Sequence, residues 1–388
     1  MDPLLRYARQ KQNDIIATIR TFVECESPSD DPPSVNRMVD LIADNVNGFA
    51  KVRTFPAPGY GKLLRCEFSL PGLTNSSSKK RGEARKQILA LGHSDTVWPL
   101  GTLRTMPFRQ ERGRLWGPGV YDMKAGIAFF IWAMRALRDL DIPVSRTVVL
   151  QVNPDEETGS RESRPYTEDA ARNSEAVLVL EPSIGLTGKL KTARKGVGGY
   201  DIVVHGRAAH MGVDPENGAS AIVEMARQIE RIVGFGRPDR GVTVGPGVIL
   251  GGTRSNVVAA ECSTEIDIRV PRVRDFAALD RKFQSLKPFD RRCKIQVTGG
   301  LNRPPLERTI GVRKLFAKAK AIASEIGLVL EEGSTGGGSD GNFTAAVGTP
   351  TLDGLGAVGE GAHALNESIL LNQIAFRTAL LAKLVAAL

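Results

Sequence analysis

The stretch RTVVLQVNPDEETGS, residues 146–160, decides the fold class predicted for this chain. An apolar run with the character of a buried strand is followed directly by three carboxylates, Asp155, Glu156 and Glu157. Neighbouring like charges repel one another, and each unit of pKa shift corresponds to about 1.4 kcal/mol. The stretch therefore predicts a cation or a shared proton at the end of a buried strand. An acidic helix N-terminus, stabilised by the helix dipole, is the alternative interpretation.

Predicted strands and helices alternate on both sides of this stretch. The predicted elements are strands at residues 63–71, 87–93, 146–153 and 175–181 and a helix at residues 122–140. Apolar strands that alternate with helices are typical of an α/β fold, in which a mostly parallel sheet has helices on both faces. Ligands of such sheets gather at the carboxyl ends of the strands. His93, Glu157 and Glu181 each stand at or just after such an end.

The pattern changes after residue 183. Strands and helices then follow the order β-α-β-β-α-β, which is that of a ferredoxin-like unit. The chain afterwards resumes with a helical pattern at residues 311–327 and a Gly-rich loop. We therefore predict an inserted ferredoxin-like α+β domain at residues 184–295 and a second domain made of residues 1–183 and 296–388. A chain of 388 residues is long enough for both.

Composition is that of a soluble globular protein, with 41% hydrophobic and 24% charged residues. The apolar runs are too short for a membrane span, the N-terminus lacks the features of a signal peptide, and the four cysteines are widely spaced. We therefore expect a cytoplasmic protein with unpaired thiols. The net charge is +9, but acidic residues interrupt the basic ones except at residues 76–86, a predicted solvated loop. We expect no nucleic-acid or membrane partner, and an anionic small substrate suits the basic surface better.

Two of the four histidines, His93 and His363, lie in short loops after apolar or Gly-rich segments. A neutral imidazole is a good zinc ligand, and its second nitrogen is commonly held by a carboxylate, a role that Asp95 fits for His93. The alternative is a polar residue at a strand end that is satisfied by Asp95. Together with Asp122, Glu157 and Glu181, however, the two imidazoles would suffice for two divalent ions if Asp122 bridges them. Glu156 would then remain to accept a proton.

Eight ordered motifs make the chain similar to a known family. They are GHSDTVWPLGT (92–102), GPGVYDMKAGIA (117–128), NPDEETGSRES (153–163), VLEPS (179–183), VHGRAAHMGVDPENGASAI (204–222), GGTRSNVVAAE (251–261), GGGSDGN (336–342) and GAHALNE (361–367). In order and spacing they resemble the co-catalytic zinc exopeptidases, which include glutamate carboxypeptidases, aminoacylases and succinyl-diaminopimelate desuccinylases. The chain looks closest to the bacterial folate-cleaving glutamate carboxypeptidases, because of the motif at 204–222 and of Glu181.

The resemblance implies a role for each candidate residue of the larger domain. Two Zn²⁺ ions per chain would be bridged by Asp122, and Co²⁺ or Mn²⁺ could substitute for them. Glu156 would act as the general base, and Asp95 would orient a ligand. The peptide bond after the bridging aspartate is usually cis in the family. The ligands of one ion would be completed by His93 and Glu181, and those of the other by Glu157 and His363.

For the inserted domain, the resemblance implies dimerisation and substrate recognition. His210 would cross the interface of a homodimer and stabilise charge at the partner's active site; the alternative is a turn histidine that caps the following helix. Asn256 and Arg269 match positions that hold the substrate carboxylate, since a guanidinium can donate two parallel hydrogen bonds. The alternative for Arg269 is an outward-facing residue of an edge strand. Gly337 and Gly338 would allow the backbone to approach the substrate closely.

The function that the sequence favours is therefore that of a zinc-dependent carboxypeptidase or amidohydrolase. It would release a C-terminal amino acid, with glutamate preferred, from a peptide, folate-like or N-acyl conjugate. An aminoacylase of the same family, acting on N-acyl amino acids, is the nearest alternative, because pocket specificity depends on a few contacts of about 1–3 kcal/mol each. A non-enzymatic binding protein on the same scaffold is the second alternative, against which the intact set of ligands and Glu156 argues.

Overall fold

The computed structural model describes residues 1–72 and 87–388. The basic stretch at residues 76–86, predicted as a solvated loop, lies outside the described residues. The helices are α1 (Pro3–Gln10), α2 (Gln12–Glu24), α3 (Pro32–Val46), α4 (Ala125–Asp139), α5 (Arg164–Arg172), α6 (Ala221–Val233), α7 (Val273–Gln284), α8 (Ile310–Glu325), α9 (Gly341–Ala346) and α10 (Ile374–Ala387). The strands are β1 (Ala50–Ala57), β2 (Gly61–Phe68), β3 (Gln87–His93), β4 (Arg109–Glu111), β5 (Arg114–Trp116), β6 (Val148–Asn153), β7 (Ser174–Val179), β8 (Leu190–Arg194), β9 (Gly196–His205), β10 (Thr243–Gly251), β11 (Glu261–Val270), β12 (Lys294–Arg303), β13 (Glu332–Thr335), β14 (Thr351–Leu352), β15 (Gly359–Glu360) and β16 (Ser368–Leu370).

The chain divides into two compact units. The second consists of Arg194–Glu307 with Gly336–Gly338, and the first contains the remainder. These bounds differ from the predicted 184–295 at both ends. The N-terminal boundary is later than predicted because β8 pairs with β13 of the first unit. The C-terminal boundary is later because β12 continues to Arg303, paired with β9. Sequence periodicity does not reveal such pairings, because they join residues far apart in the chain.

The main sheet of the first unit has the strand order β1-β2-β6-β3-β7-β14. Strands β6, β3, β7 and β14 pair in parallel, whereas β1 and β2 extend the sheet with antiparallel pairs. Strand β6 is buried along its whole length and β3 at every residue after Gln87, as expected for a parallel sheet covered on both faces. The prediction of a mostly parallel α/β sheet is confirmed.

Alternate residues of the central strands enter two different hydrophobic clusters. In β3, Ile88 and Ala90 pack in the cluster that contains helices α4 and α10, whereas Leu89 and Leu91 pack in the cluster that contains α5. Successive side chains of a strand point to opposite faces of the sheet. Helices therefore cover both faces, as the α/β pattern predicted.

Helix α4 lies very close to the end of β7. A Cβ atom on Gly126, in the first turn of α4, would lie 2.1 Å from the carbonyl oxygen of Leu180. Only glycine allows this approach without displacing the backbone. The contact fixes the start of α4, just after Asp122, against the residue that precedes Glu181.

A small antiparallel sheet, with the order β15-β16-β5-β4, holds the loop that carries His363. Strands β15 and β16 form a hairpin around this loop, and β16 pairs with β5, which precedes the segment of Asp122. None of these strands is predicted from the sequence, because elements of two or three residues carry no periodic pattern. The sheet brings the segments of His363 and Asp122 together.

The second unit is a four-stranded antiparallel sheet in the order β10-β11-β9-β12, with helices α6 and α7 packed in the same hydrophobic cluster. Residues of β9 alternate between buried and more exposed positions. Such alternation is typical of a sheet with one covered face. The predicted ferredoxin-like order of strands and helices is confirmed.

None of the helices in the described ranges has the length and apolar character needed to cross a membrane. All four cysteines are free thiols, and Cys66, Cys262 and Cys293 are buried. The prediction of unpaired cysteines is confirmed.

Candidate metal centre and active site

Three neighbouring strands bring candidate side chains to one edge of the main sheet. His93 ends β3, which lies between β6 and β7. Glu156 and Glu157 follow β6, and Glu181 follows β7. Because the three strands are parallel, their carboxyl ends meet at the same edge.

Asp122 faces two imidazoles at once. Its Oδ1 lies 3.2 Å from Nε2 of His93, and its Oδ2 lies 3.5 Å from Nε2 of His363. The residue lies in the segment Val120–Lys124, directly before α4, and its own backbone is not helical, with φ −114° and ψ 96°. Its peptide bond to Met123 is cis, as the resemblance implies. A carboxylate whose two oxygens face different imidazoles has the geometry of a bridge between two cations.

Each imidazole also faces a glutamate. Nε2 of His363 lies 3.2 Å from Oε1 of Glu157, and Nε2 of His93 lies 3.7 Å from Oε1 of Glu181. In a tetrahedral zinc site with bonds of about 2.0–2.1 Å, neighbouring ligand atoms stand about 3.3 Å apart. The observed separations fit that spacing. Imidazoles and carboxylates together suit zinc and, with their many oxygens, cobalt or manganese.

The acidic surroundings favour positive charge at both imidazoles. Hydrogen bonds to Asp122 and Glu157 raise the pKa of His363 to about 10. Burial alone would lower the pKa of His93, but hydrogen bonds to Asp122 and Asp95 outweigh it and hold that pKa well above its ordinary value. Burial likewise opposes ionisation of Asp122, yet the two imidazoles hold its pKa well below the usual range. The excess of negative charge that causes these shifts also favours divalent cations.

Glu156 adjoins the same space. One ligand atom each of Glu156, His93 and Glu181 lies within 4.8 Å of the others. The same three side chains, together with Asp340, line a small pocket. The acidic run lies in a turn of only three residues, Glu156–Thr158, and not at the N-terminus of an α-helix as in the alternative interpretation. Glu156 therefore adjoins the candidate metal centre.

Asp95 does more than the sequence analysis predicted. Nδ1 of His93 lies 2.9 Å from the main-chain oxygen of Asp95 and 3.4 Å from its carboxylate. The carboxylate accepts hydrogen bonds from the backbone N–H groups of Glu156 and Glu157, at 3.2 Å and 3.1 Å, and from the hydroxyl of Ser29 at 2.8 Å. Asp95 thus holds the turn that carries the two glutamates. Sequence alone offered no signal for these contacts, because the partners lie about 60 residues away.

His210 and Asn256 are neighbours on the second unit. His210 is exposed, and its segment pairs with that of Val257, while the backbone N–H of Met211 donates to the carbonyl of Asn256. Nδ1 of His210 accepts from the backbone N–H of Gly212, at 3.1 Å. This bond fixes the neutral ring in the tautomer that carries its proton on Nε2. His210 is then a hydrogen-bond donor on an exposed surface.

Arg269 lies on β11, an inner strand of its sheet, so the alternative of an edge strand is wrong. Its Nε and Nη2 atoms donate to the two oxygens of Asp267, both at 2.8 Å. The guanidinium is therefore held in a fixed orientation by a carboxylate on the same face of the strand. Its remaining N–H groups are the ones suited to a second anion.

The Gly-rich loop is held by a buried arginine that the sequence analysis missed. Nη1 of Arg194 donates to the carbonyl oxygens of Gly337 and Gly338, at 3.2 Å and 2.8 Å. A Cβ atom at Gly338 would lie 2.9 Å from side-chain atoms of Arg303 and Val197, whereas Gly337 faces open space. Gly338 is therefore required by packing within the unit, whereas a Cβ atom at Gly337 would have no neighbour within 4 Å.

Comparison with known proteins agrees with this geometry. Residues 89–387 match the model of peptidase family M20/M25/M40. Carboxypeptidase G2 of Pseudomonas sp. (strain RS-16) is 29% identical over 366 residues, which cover 90% of this chain and 87% of that protein. The match and the relative confirm the resemblance inferred from the eight motifs.

Solved structures show the same fold. Aminopeptidase PepT from Bacillus cereus ATCC 10987 superposes with a TM-score of 0.75 at 22% identity, over 97% of this chain and 98% of that one. The Bacillus subtilis YXEP protein, described as a dinuclear metal-binding peptidase of the M20 family, gives a TM-score of 0.66 at 12% identity, over 98% of both chains. The family match covers all five candidate ligands and Glu156. The chain is therefore a hydrolase of peptidase family M20/M25/M40.

Proposed function

We propose that this chain is a di-metal amidohydrolase that releases a C-terminal amino acid, with glutamate the expected product, from a peptide, folate-like or N-acyl conjugate. The observation that carries the proposal is the placement of Asp122, whose two oxygens face His93 and His363, with Glu156 close to His93. Carboxypeptidase G2, at 29% identity, supports the choice of a carboxypeptidase.

Five residues would hold two divalent ions. One oxygen of Asp122 faces His93, which also faces Glu181. The other oxygen faces His363, which also faces Glu157. Zn²⁺ is the ion we propose, with Co²⁺ or Mn²⁺ as substitutes. When bound, the two ions would polarise the scissile carbonyl and lower the pKa of the attacking water.

Glu156 would move the proton in this reaction. Its carboxylate accepts the proton of the attacking water and delivers it to the leaving nitrogen, the usual work of a general base that later acts as an acid. The Asp95 carboxylate fixes the backbone at Glu156, so the base is held in position before substrate binds. Glu157, held by the same carboxylate, serves as a ligand.

Asn256, Arg269, Gly337 and Gly338 would form the site for the C-terminal residue of the substrate. Asp267 orients Arg269 through two hydrogen bonds, which reduces the entropy lost when the guanidinium binds a second carboxylate. An arginine prepared in this way favours a substrate with a free carboxylate.

Substrate preference is the first test. In a panel of N-acyl amino acids and dipeptides that differ only at the C-terminal residue, kcat/KM should be highest for glutamate or aspartate, because the net charge of +9 and the proposed contact with Arg269 favour anions. Steady-state kinetics on the panel measures this. A preference for neutral aliphatic residues or for arginine would instead support the aminoacylase alternative.

Arg269 offers a matched control within the same unit. Arg269→Ala should raise KM for the best substrate roughly 10- to 100-fold, the range for losing a hydrogen bond between charged groups. Arg237 pairs with Asp239 in the same two-bond geometry, at 3.1 Å and 2.9 Å, and is not a proposed substrate contact. Arg237→Ala should therefore leave KM unchanged, and equal effects of the two substitutions would remove Arg269 from the site.

A homodimer is supported by apolar side chains on the second unit. Its edge strand β10 exposes Val248, Ile249 and Leu250, and α6 exposes Ile222 and Val223. An exposed apolar edge strand readily pairs with another chain. With two-fold symmetry, both subunits would use the same patch. In such a dimer, His210 would serve the active site of the partner.

Complementation tests the shared site. Glu156→Gln and His210→Ala chains should each be nearly inactive, but after random reassortment the mixture should recover roughly one quarter of wild-type activity, because half of the dimers are mixed and each contains one complete site. Activity is measured after dissociation and reassociation, with each variant reassorted against itself as the control. Mixed dimers that form but stay inactive would show that His210 acts within its own chain or only structurally.

A further inference from the structure

Glu367 is a fully buried carboxylate that accepts four hydrogen bonds. Its Oε1 accepts from the backbone N–H groups of Tyr121 and Asp122, at 2.9 Å and 3.0 Å. Its Oε2 accepts from the backbone N–H of Gly119 at 2.9 Å and from the indole N–H of Trp98 at 2.8 Å. An ionised carboxylate offers about four acceptor sites, so these donors fill its capacity.

These contacts join three separate parts of the candidate metal centre. Trp98 follows His93 in the same loop, Asp122 donates its own N–H, and Glu367 itself lies four residues after His363. The peptide that positions Asp122 is therefore fixed relative to both imidazole loops by one side chain. Burying a carboxylate costs several kcal/mol unless its hydrogen bonds are satisfied. Each of the four N–H groups that donate to Glu367 belongs to or adjoins a segment that carries a proposed metal ligand.

We infer that Glu367 is a positioning residue that sets the Asp122 carboxylate between His93 and His363. This inference rests on the proposed di-metal site and adds to it a residue that touches neither ion. Glu367 acts through the backbone of the bridging residue, so its loss changes the distance of Asp122 from both imidazoles. Residues that hold metal ligands in place typically change metal affinity about 10- to 100-fold when mutated.

Glu367→Gln is the informative substitution. The amide keeps the volume of the side chain but replaces one acceptor oxygen with an NH₂ group, which then opposes two N–H donors in either orientation. Glu360→Gln is the matched control, since Glu360 lies in the same hairpin, is exposed and pairs with Arg114 at 2.6 Å. Trp98→Phe removes a single donor and leaves the carboxylate intact.

The experiment measures Co²⁺ binding to full-length, metal-stripped protein by calorimetry and by the visible absorption of the bound ion. We expect Glu367→Gln to weaken binding at least about tenfold and to alter the absorption bands, which report coordination geometry. Trp98→Phe should act in the same direction by a smaller factor, and Glu360→Gln should match wild type. If Glu367→Gln fails to fold, the Co²⁺ affinity and absorption spectrum of Trp98→Phe test the inference instead.

The outcomes separate the inference from the function on which it rests. If wild type binds two Co²⁺ and both Glu367→Gln and Trp98→Phe bind them with unchanged affinity and spectrum, the positioning role is overturned while the di-metal site stands. If wild type binds no Co²⁺, the proposed function and the inference both fail. An effect of Glu360→Gln equal to that of Glu367→Gln would also overturn the inference, because it would reflect general disturbance of the hairpin.

Discussion

Glu156→Gln is expected to keep both metal ions and to lose about two to four orders of magnitude in kcat, the range for removing a general base. The side chain keeps its size and its place near His93 and Glu181, but an amide cannot accept the proton of the attacking water. Because Asp95 holds the backbone of this turn, the substitution should leave the metal ligands where they are. Metal content is measured on the same sample as activity.

The neighbouring carboxylate should behave differently. Glu157 faces His363 at 3.2 Å, and Glu157→Ala is expected to lose metal, with activity falling as a consequence. Glu162→Gln, the same kind of change as Glu156→Gln six residues further on, should retain both metal and activity. If Glu156→Gln and Glu157→Ala both kept the full metal content, the assignment of these two glutamates would be wrong.

Removal of metal is expected to abolish amidase activity, and Zn²⁺ or Co²⁺ should restore it. Three carboxylates, Asp122 among them, and two imidazoles make up the proposed ligand set, so an excess of negative charge remains at the site without ions. A ligand that binds only the folded state stabilises it by about 4 kcal/mol at a concentration 1,000 times its Kd. The thermal midpoint should therefore rise when metal is added to the stripped protein. Metal analysis of the active protein should give two ions per chain.

Two control experiments accompany this prediction of metal dependence. His363→Ala removes a ligand from one of the two ions, so the stoichiometry should fall from two towards one. Mg²⁺, which prefers octahedral oxygen ligands and keeps several waters, should restore little activity. Full activity after exhaustive chelation, with no bound metal detected, would contradict the proposed mechanism.

Much of the fold could be predicted from local pattern. The apolar strand before Asp155, the strand that ends at His93 and the long apolar helix after Asp122 each carry the periodicity or length of their element, and the structure contains all three. The β-α-β-β-α-β order of the second unit could also be predicted from the sequence pattern. The proximity of His93 and Glu181 also followed, because adjacent parallel strands end at the same edge.

The hydrogen bonds that hold the candidate site residues in place could not be predicted from the sequence. Glu367 and Ser29 act through hydrogen bonds to segments far away in the chain, and no periodic or spacing pattern marks such contacts. Arg194, which holds the Gly-rich loop, belongs to a short strand and gave no sign of its partners. The hairpin around His363 has strands too short for periodicity. The local sequence pattern thus predicts helices and strands, whereas tertiary contacts determine how the proposed metal ligands are held.

The chain order of the ligands has a consequence for biosynthesis. His93, Asp122, Glu157 and Glu181 are translated within the first half of the chain, whereas His363 lies in the hairpin directly before the final helix, α10. That helix packs in the same large hydrophobic cluster as α4. Domains emerge from the ribosome N-terminal part first, at about 5–20 residues per second, so a nascent chain lacks one imidazole until residue 363 has been synthesised. A product that stalls before His363 would lack one of the five proposed ligands, so the proposed two-ion site would form only after that imidazole has been made.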